Sequence, residues 1–347
     1  MVRSRRGRSA LWPASTALAL AIDAIVGDEP LDPHPVALFG KAMSRLERLV
    51  WQDHRLPGLA FACGGVAAAT LAGRALDRVG GGPVAAGYVS IAGRGLWDAA
   101  ASVHEALVLG DLARARELLP ALVGRDPAEL SATEIARAVV ESVAENTVDA
   151  IVAPALFAAA FGAAGAFGYR AVNTLDSMVG YRDAHYARFG WAAARLDDVA
   201  NLVPARVTAV LVGAVRPRVA ADIWRAVRRQ ARAHPSPNAG VAEAAFAVSL
   251  GVQLGGRNSY RGEVEERPLL GSLPGRAPEP GDIAAAVACS RQVTALLFGL
   301  LFTAAVCAKG ARRRARPRCR PGSPTIDGLK SARGQKDIAP RHGRTSR

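Results

Sequence analysis

Six apolar stretches recur along the sequence and restrict the chain to folds that bury them in a membrane or in a large core. A helix needs about 20 apolar residues to cross a bilayer; two of the stretches approach or exceed that length, and the others are shorter or rich in glycine. The stretches are 11–27, 59–73, 79–93, 150–168, 199–215 and 284–308. No alternation of apolar and polar residues with period two persists, so no β-strand is predicted. The sequence therefore predicts an all-α, polytopic integral membrane protein with helical polar loops.

Charge is concentrated at the two ends of the chain. The net charge is +14, yet residues 309–347 carry 13 basic and 2 acidic side chains, and four arginines lie among the first nine residues. The rest of the chain holds 27 basic and 28 acidic side chains, and aromatic residues make up only 5% of the sequence, which argues against a nucleic-acid-binding surface. We divide the chain into a basic N-terminal segment (1–9), a membrane-embedded helical domain (10–308) and a disordered basic tail (309–347).

The distribution of basic residues also predicts an orientation. Basic residues that flank membrane helices favour the cytoplasmic side, so both termini are predicted to be cytoplasmic. Counting all six stretches as spans agrees with this, but it places the loops 94–148 and 216–283 outside, although the second loop is rich in arginine. We therefore interpret some stretches, above all 199–215 with its Asn201 and Arg206, as buried or re-entrant helices.

The N-terminal region contains an apolar stretch followed by an ordered polar loop. Stretch 11–27 follows basic residues, as the apolar part of a signal peptide would. Because it contains Asp23 and lacks a clear cleavage site, we predict a retained helix instead. The loop that follows carries Asp28, Glu29, Asp32 and His34 among three prolines. We interpret His34 as a hydrogen-bonding residue rather than a metal ligand.

Three carboxylates lead into the apolar stretch 150–168. Glu141, Glu145 and Asp149 recur every four residues, so a regular helix places them on one face, with Asn146 beside them. Such carboxylates repel one another unless a cation lies among them. Two interpretations stay open: a solvated face on which Arg137 pairs with Glu141, or a functional cluster at the membrane entrance.

Two further polar segments carry oxygen-rich side chains at helical spacing. Asn173 and Asp176 are one turn apart and can face one point, where carboxylate and amide oxygens suit Mg²⁺. Capping and turn chemistry is the alternative for this segment. Asp197 and Asp198 are followed one turn later by Asn201, which predicts a platform for a cation and phosphate. The alternative there is a network of Asp–Arg ion pairs.

Familiar nucleotide-binding and hydrolase signatures are absent from the sequence. It contains no GxxxxGK[ST] phosphate loop, no HExxH and no GxSxG. The segment HPSPNAG nevertheless offers Ser236 and Asn238 as donors to a phosphate, and Arg257 and Arg261 follow downstream. Any phosphate chemistry is therefore expected to depend on scattered polar and basic side chains.

Taken together and in this order, the polar segments resemble the cobalamin biosynthesis protein CobD/CbiB family, the adenosylcobinamide-phosphate synthases. The resemblance is carried by GDEPLDPHPVALFG, ESVAENTVDAIVAPALF, YRAVNTLDSMVGYRD, ARLDDVANLVPARVTA and SPNAGVAEAAFAVSLGVQLGGRNSYRG, between about residues 23 and 308. Several long polar motifs in one order are a specific signal, whereas any single one is not.

The resemblance implies a multi-pass enzyme of the cell (inner) membrane that acts late in corrinoid assembly. Its reaction is amide formation, a carbon–nitrogen ligase activity that joins a propionate of adenosylcobyric acid to (R)-1-amino-2-propanol or its phosphate, giving adenosylcobinamide (phosphate). The resemblance further implies ATP and Mg²⁺ as cofactors, and the family's place in corrinoid assembly suggests association with other corrinoid-assembly enzymes.

Roles for individual residues follow from the resemblance as hypotheses. The expected catalytic residues, which hold Mg²⁺–ATP or act as a base toward the amine, are Glu141, Glu145, Asp149, Asp176 and Asp198. The expected substrate-binding residues are Asn146, Asn173, Tyr181, Arg182, Asn201, Arg206, Ser236, Asn238, Arg257 and Arg261. The expected metal ligands are Asp197, Asp198 and Asp176.

A membrane transporter or a scaffold for corrinoid intermediates is the alternative function. Intramembrane carboxylates such as Asp23 and Asp149 are common in transporters. The polar motifs, however, concentrate in loops and at helix ends, and the inverted repeats of many carriers are not found. A scaffold would leave the acidic segments without a purpose. These observations favour the enzyme.

Overall fold

A computed structural model of the chain describes residues 11–27, 32–124, 127–181, 183–260, 263–272 and 274–314. Within these residues the chain forms thirteen α-helices and one β-hairpin. In chain order the helices are α1 (Trp12–Val26), α2 (Pro35–Val50), α3 (Arg55–Leu76), α4 (Gly82–Ser90), α5 (Gly93–Val108), α6 (Leu112–Leu118), α7 (Ala132–Asn146), α8 (Ala153–Val179), α9 (Trp191–Ala200), α10 (Leu202–Val215), α11 (Ala220–Arg229), α12 (Ala239–Leu250) and α13 (Pro280–Arg314). The predicted all-α membrane class is confirmed.

Three helical segments of the described residues are long and apolar enough to cross a membrane. They are Arg55–Leu76, Ala132–Val179 and Pro280–Gly310. A fourth candidate is the pair α9 and α10, which is bent by 41° and forms either a broken span or a re-entrant loop. The buried or re-entrant helix predicted for stretch 199–215 stays a prediction. Stretch 59–73 is by itself too short to span a bilayer, but α3 extends it to 22 residues. Stretch 79–93, in contrast, forms only the nine-residue α4.

The segment Ala132–Val179 passes the length test but is not a straight rod. It consists of α7, a π-helical segment (Thr147–Val152) and α8, and α8 itself is broken at Gly162, where φ is +69° and ψ is −149°. The carboxylate of Asp77 accepts hydrogen bonds from the backbone N–H groups of Ala163 (2.8 Å) and Ala164 (3.4 Å), and so caps the second half of α8. The predicted single helix over stretch 150–168 is therefore wrong.

The break at Gly162 reverses the direction of the chain. Asn173 lies within hydrogen-bond distance of Asp149, 24 residues earlier, whereas a straight helix would separate the two by roughly 36 Å. The rings of Phe157 and Tyr169 also stack, with centroids 5.1 Å apart. Glycine suits the bend because an L side chain rarely adopts this φ, and a Cβ at Gly162 would also press on the Trp12 ring. The result is a helical hairpin that carries polar residues back toward the π-helical segment.

A β-hairpin follows α12 and corrects the expectation of no strands. Its strands, β1 (Gln253–Tyr260) and β2 (Glu263–Gly271), pair antiparallel. Gly255 and Gly256 have φ of +85° and +81°, and the register shifts at this point, which is the geometry of a β-bulge. The glycines interrupt the alternation that marks a strand, so the sequence pattern conceals the hairpin.

The main core lies among α5, α7, α10, α12 and α13. Ser131 and Glu134 form a capping box, in which each side chain accepts from the other residue's backbone N–H, and α7 starts there. Trp97 Nε1 of α5 donates to Ser290 Oγ over 3.0 Å, and Thr147 Oγ1 lies 2.8 Å from the same hydroxyl. These buried contacts tie α5 and the π-helical segment to α13.

The two charged ends lie largely outside the described residues. Helix α13 continues to Arg314, six residues into the stretch assigned to a disordered tail, so disorder is the wrong prediction for 309–314. The remaining tail (315–347) and the N-terminal segment (1–9) are outside the described residues. The division into three parts stays a prediction.

Candidate functional site

The reversal at Gly162 places Asn173 between an acidic and a basic side chain. Its Nδ2 donates to Asp149 Oδ2 over 3.3 Å, and its Oδ1 accepts from an Arg170 guanidinium nitrogen over 3.3 Å. Asp149 belongs to the π-helical segment and the other two residues to the second half of α8. The helical hairpin therefore brings a carboxylate, a side-chain amide and a guanidinium group into one hydrogen-bonded row.

Helix α9 adds a second carboxylate to this place. Asn201 Nδ2 donates to Asp197 Oδ2 over 3.0 Å, one helical turn away, and Asn201 Oδ1 accepts from the Tyr169 hydroxyl over 2.9 Å. The predicted shared face of Asp197 and Asn201 is confirmed by this contact. The other oxygen of Asp197, Oδ1, is buried without a hydrogen-bond partner among the described residues. A buried carboxylate oxygen in that state is suited to accept from a ligand or to bind a cation.

Asp149, Asp176 and Asp197 form what we call the acidic cluster. The charges of Asp176 and Asp197 both act on Asp149, and those of Asp197 and Asp198 act on Asp176. Arg170 is the nearby cation that acts in the opposite sense. Because like charges held together in a largely buried site repel, the cluster is complementary to an added cation or ammonium group.

Asp198 and three predicted substrate-binding residues form a network beside the cluster. Asp198 Oδ2 lies 3.1 Å from Arg195, so the alternative of an Asp–Arg ion pair holds for this residue. The backbone carbonyl of Asp198 accepts from Asn238 Nδ2 over 2.7 Å, and Asn238 Oδ1 accepts from Arg206 over 2.8 Å. Ser236 Oγ accepts from the Asn238 backbone N–H over 3.3 Å. This network fixes the start of α12 against α9 and α10, and a phosphate-binding role for it stays a prediction.

The two glutamates of α7 turn toward a different neighbour from Asp149. Glu141 is only 3% exposed, and its Oε1 accepts from the buried backbone N–H of Gly255 over 2.8 Å. A solvated face is therefore the wrong interpretation for Glu141. The π-helical segment adds a wider turn between Glu145 and Asp149. The three carboxylates predicted on one face are therefore divided, with the two glutamates in one group of side chains and Asp149 in the neighbouring one.

A buried glutamate–histidine pair beside Glu145 was not predicted from the sequence. Glu243 of α12 is fully buried, and its Oε1 lies 3.4 Å from His234 Nε2. Burial raises the pKa of Glu243 well above its usual range, with the charges of Glu145 and Glu141 adding to the effect. Burial also lowers the pKa of His234. The signal that could have revealed this pair is the lone carboxylate in the otherwise apolar helix AGVAEAAFAVSL.

Several predicted residues stand apart from the acidic cluster. Tyr181 is 48% exposed, with its ring centroid 6.4 Å from that of Tyr186. Asn146 Nδ2 donates to the Ser142 backbone carbonyl over 3.0 Å. Arg257 pairs in backbone register with Glu266 in the β-hairpin. The roles of Arg182 and Arg261 fall on positions outside the described residues, as do Asp28 and Glu29 of the N-terminal loop.

A small pocket of about 190 Å³ is lined in part by Arg170, whose guanidinium donates to Asn173. Its polar lining comes from Arg170, Thr174 and Ser90, and the rest is apolar. Ser90 is buried, and its hydroxyl has no hydrogen-bond partner among the described residues. Pro35 and Val36 of the N-terminal polar motif also line the pocket; His34 Nδ1 accepts from the Val36 backbone N–H over 3.3 Å and caps α2, the hydrogen-bonding role predicted for it.

The donor set fits a hydrated magnesium ion better than a metal held entirely by protein. Within the part of the chain that the structure describes, no three His, Cys, Asp or Glu side chains are arranged as a metal site. Mg²⁺ commonly takes only one or two protein carboxylates and completes its shell with water and substrate phosphates. Asp176 and Asp197, with the unpartnered Oδ1 of Asp197, would be the residues to hold it. The metal role of these residues and of Asp198 stays a prediction.

Comparison with known proteins identifies the family. The family model described as CobD/Cbib protein matches residues 16–290. The chain is 49% identical over 283 residues to the cobalamin biosynthesis protein CobD of Mycobacterium tuberculosis (strain ATCC 25618 / H37Rv), covering 79% of this chain and 90% of that protein. It is 43% identical over 268 residues to the protein of the same name from Geobacter metallireducens, covering 73% and 84% of the two chains. No solved structure matches. The chain therefore belongs to the CobD/Cbib protein family.

Proposed function

We propose that this chain forms an amide bond in cobalamin biosynthesis, joining a propionate of adenosylcobyric acid to (R)-1-amino-2-propanol or its phosphate at the expense of ATP. Cobalamin biosynthesis is supported by the family and by the names of the relatives. The observation that carries the reaction is the acidic cluster: Asp149, Asp176 and Asp197 gathered around Asn173 and bordered by Arg170.

The acidic cluster matches what the amine substrate needs. An ammonium group has to lose a proton before its nitrogen can attack a carboxyl carbon, and a nearby carboxylate both attracts the ammonium and accepts that proton. Activation of the corrin carboxylate would come from ATP, whose phosphate charge Mg²⁺ neutralises. Asn173, held from both sides, would orient the amine, and the carboxylate of Asp197 supplies an acceptor.

The small pocket suits the amine substrate rather than the corrin. A volume of about 190 Å³ is below the roughly 300–1,000 Å³ of drug-sized ligand pockets, so a corrin macrocycle does not fit. Arg170, Thr174 and the buried Ser90 hydroxyl offer donors to the hydroxyl or phosphate end of an amino alcohol. Arg170 lines this pocket and donates to Asn173, which donates to Asp149 of the acidic cluster. We therefore expect the amine end to point toward the carboxylates.

The decisive assay uses the purified protein in detergent with adenosylcobyric acid, Mg-ATP and either aminopropanol or aminopropanol phosphate. Mass spectrometry should detect an amide product that depends on ATP. A comparison of the rates with aminopropanol and with aminopropanol phosphate shows whether the phosphate is recognised. The same protein in proteoliposomes tests the alternative of a transporter. Corrinoid uptake without any covalent product would contradict the enzyme and support a transporter. If neither uptake nor product is detected, the scaffold is the remaining alternative.

A further inference from the structure

A second cavity, of about 670 Å³, lies between α1, α5 and α13, and we call it the groove. None of its lining residues belongs to the acidic cluster or to the small pocket. Its walls are apolar, with Leu20 and Ala24 from α1 and Phe298 from α13, and two guanidinium groups, those of Arg94 and Arg291, stand among them. The volume is within the roughly 300–1,000 Å³ that ligand pockets occupy.

Arg94 and Arg291 bring two guanidinium groups to this groove, and two carboxylates adjoin it, those of Asp98 and of the buried Asp23, which accepts from the Arg94 backbone N–H. Arg94 pairs with Asp98 over 2.6 Å. Arg291 is exposed and stacks over the Trp97 ring, 5.2 Å from its centroid. No carboxylate of the described residues forms an ion pair with Arg291, although α13 is a candidate span. An arginine in such a place needs an anion or contact with the headgroup region.

The pattern of α13 places Arg291 at a membrane boundary. Residues 293–308 contain no charged side chain, and the distance along the helix from Arg291 to Lys309 is roughly 27 Å, close to the thickness of the hydrocarbon core. Large exposed apolar side chains on α13 occur after Arg291, at Leu300, Phe302 and Val306 (54–55% exposed). The turns before Arg291, in contrast, are packed into the protein core.

A second candidate span reaches its end at the same level. Helix α10 ends at Val215, and the Arg216 guanidinium that follows donates to the Gln292 side-chain oxygen, next to Arg291. The apolar parts of α10 and α13 are therefore both bordered by arginine at the same depth. This is where the headgroups of a surrounding bilayer would lie.

We propose that the groove binds a phospholipid with an anionic headgroup. The phosphate would accept from the Arg291 guanidinium, whose planar donors suit two phosphate oxygens, and an acyl chain would lie along the apolar walls formed by Leu20, Ala24 and Phe298. The bilayer supplies this occupant at the required depth. The proposal does not depend on the reaction assigned to the acidic cluster.

The test compares four additions to the delipidated full-length protein in detergent: dioleoylphosphatidylglycerol, dioleoylphosphatidylcholine, glycerophosphoglycerol and inorganic phosphate. Dioleoylphosphatidylglycerol should raise the melting temperature and be retained in native mass spectra. Arg291→Gln should weaken its binding about tenfold, whereas Arg228→Gln, which removes an exposed guanidinium from α11, should not. Ala295→Trp, which fills the groove from an exposed position and keeps both charges, should also prevent retention.

Three outcomes would overturn the proposal. Equal effects of the two lipids would show that the headgroup charge is not recognised. An equal effect of glycerophosphoglycerol or inorganic phosphate would show a free-anion site without a role for the acyl chain. Unchanged lipid binding in Arg291→Gln and Ala295→Trp would place the lipid elsewhere.

Discussion

The side-chain amide of Asn173 donates to Asp149 over 3.3 Å and so joins the second half of α8 to the π-helical segment that precedes its first half. The contact exists because Gly162 reverses the chain between the two residues. The same reversal brings Tyr169 to Asn201 and thereby to Asp197 of α9. The acidic cluster is thus assembled by one helical hairpin and one neighbouring helix.

Glu141 is predicted to be a structural acceptor as well as a member of the site. In Glu141→Ala the buried N–H of Gly255 loses its acceptor, so the free energy of unfolding should fall by about 1–3 kcal/mol. Glu141→Gln keeps a carbonyl oxygen at that place and should stay close to the wild-type stability. Denaturation of both variants in detergent checks this, and an equal loss in both would show that the negative charge, not the hydrogen bond, stabilises the hairpin.

His234 is predicted to make the protein less stable in mild acid. Burial lowers its pKa below the usual value of about 6.5. The unfolded chain therefore binds a proton at pH values where the folded chain does not, and the contribution of His234 to stability is lost as the pH falls below about 6.5. The raised pKa of Glu243 acts in the opposite sense, with stability lost as the pH rises above its usual value of about 4.5.

The contribution of His234 is isolated by comparison with His234→Gln. Melting temperatures measured between pH 5 and pH 7 should show a smaller loss toward acid in the variant than in the wild type. His54→Gln is the matched control, because His54 is exposed and, like His234, its ring accepts from a backbone N–H two residues later. Parallel pH profiles for wild type and His234→Gln would contradict the assignment.

Two glycines of α3 should respond differently to the same substitution. A Cβ at Gly58 would overlap the backbone carbonyl of Phe189, so Gly58→Ala should destabilise the protein by about 1–3 kcal/mol or prevent its accumulation. A Cβ at Gly64 meets nothing within 4 Å, so Gly64→Ala should be neutral or slightly stabilising. The amount of monodisperse protein and its melting temperature measure both. Equal behaviour of the two variants would mean that α3 does not pack on this segment.

The class of fold and the local contacts follow from the sequence, whereas the long-range assembly does not. Apolar length predicts the membrane class, and the four-residue spacing of Asp197 and Asn201 predicts their contact. The reversal at Gly162 is hidden because the glycine- and alanine-rich residues around it would suit a straight helix equally well. Glu243 becomes part of the site only because α12 is buried from all sides, a tertiary effect that its own composition does not specify.

The topology around α13 offers a further prediction. If α13 crosses the bilayer once, the loop 216–283 and the tail 315–347 lie on opposite faces, so they cannot both be cytoplasmic as the basic residues suggest. Since the proposed reaction needs cytoplasmic ATP, we expect the loop on the cytoplasmic face. In a cysteine-free background, Arg232→Cys should be labelled only after permeabilisation and Ser331→Cys in intact cells. Labelling of both from the same face would show that α13 does not cross.

The acidic cluster is tested most directly by product formation in matched Asp→Asn variants. Asp149→Asn, Asp176→Asn and Asp197→Asn remove one charge each from the cluster and should lower the rate of ATP-dependent amide formation by about 100-fold or more. Asp222→Asn, which removes an exposed carboxylate from α11, should keep the wild-type rate. All variants should insert in the membrane and purify as the wild type does. Full activity in the three cluster variants would contradict the account.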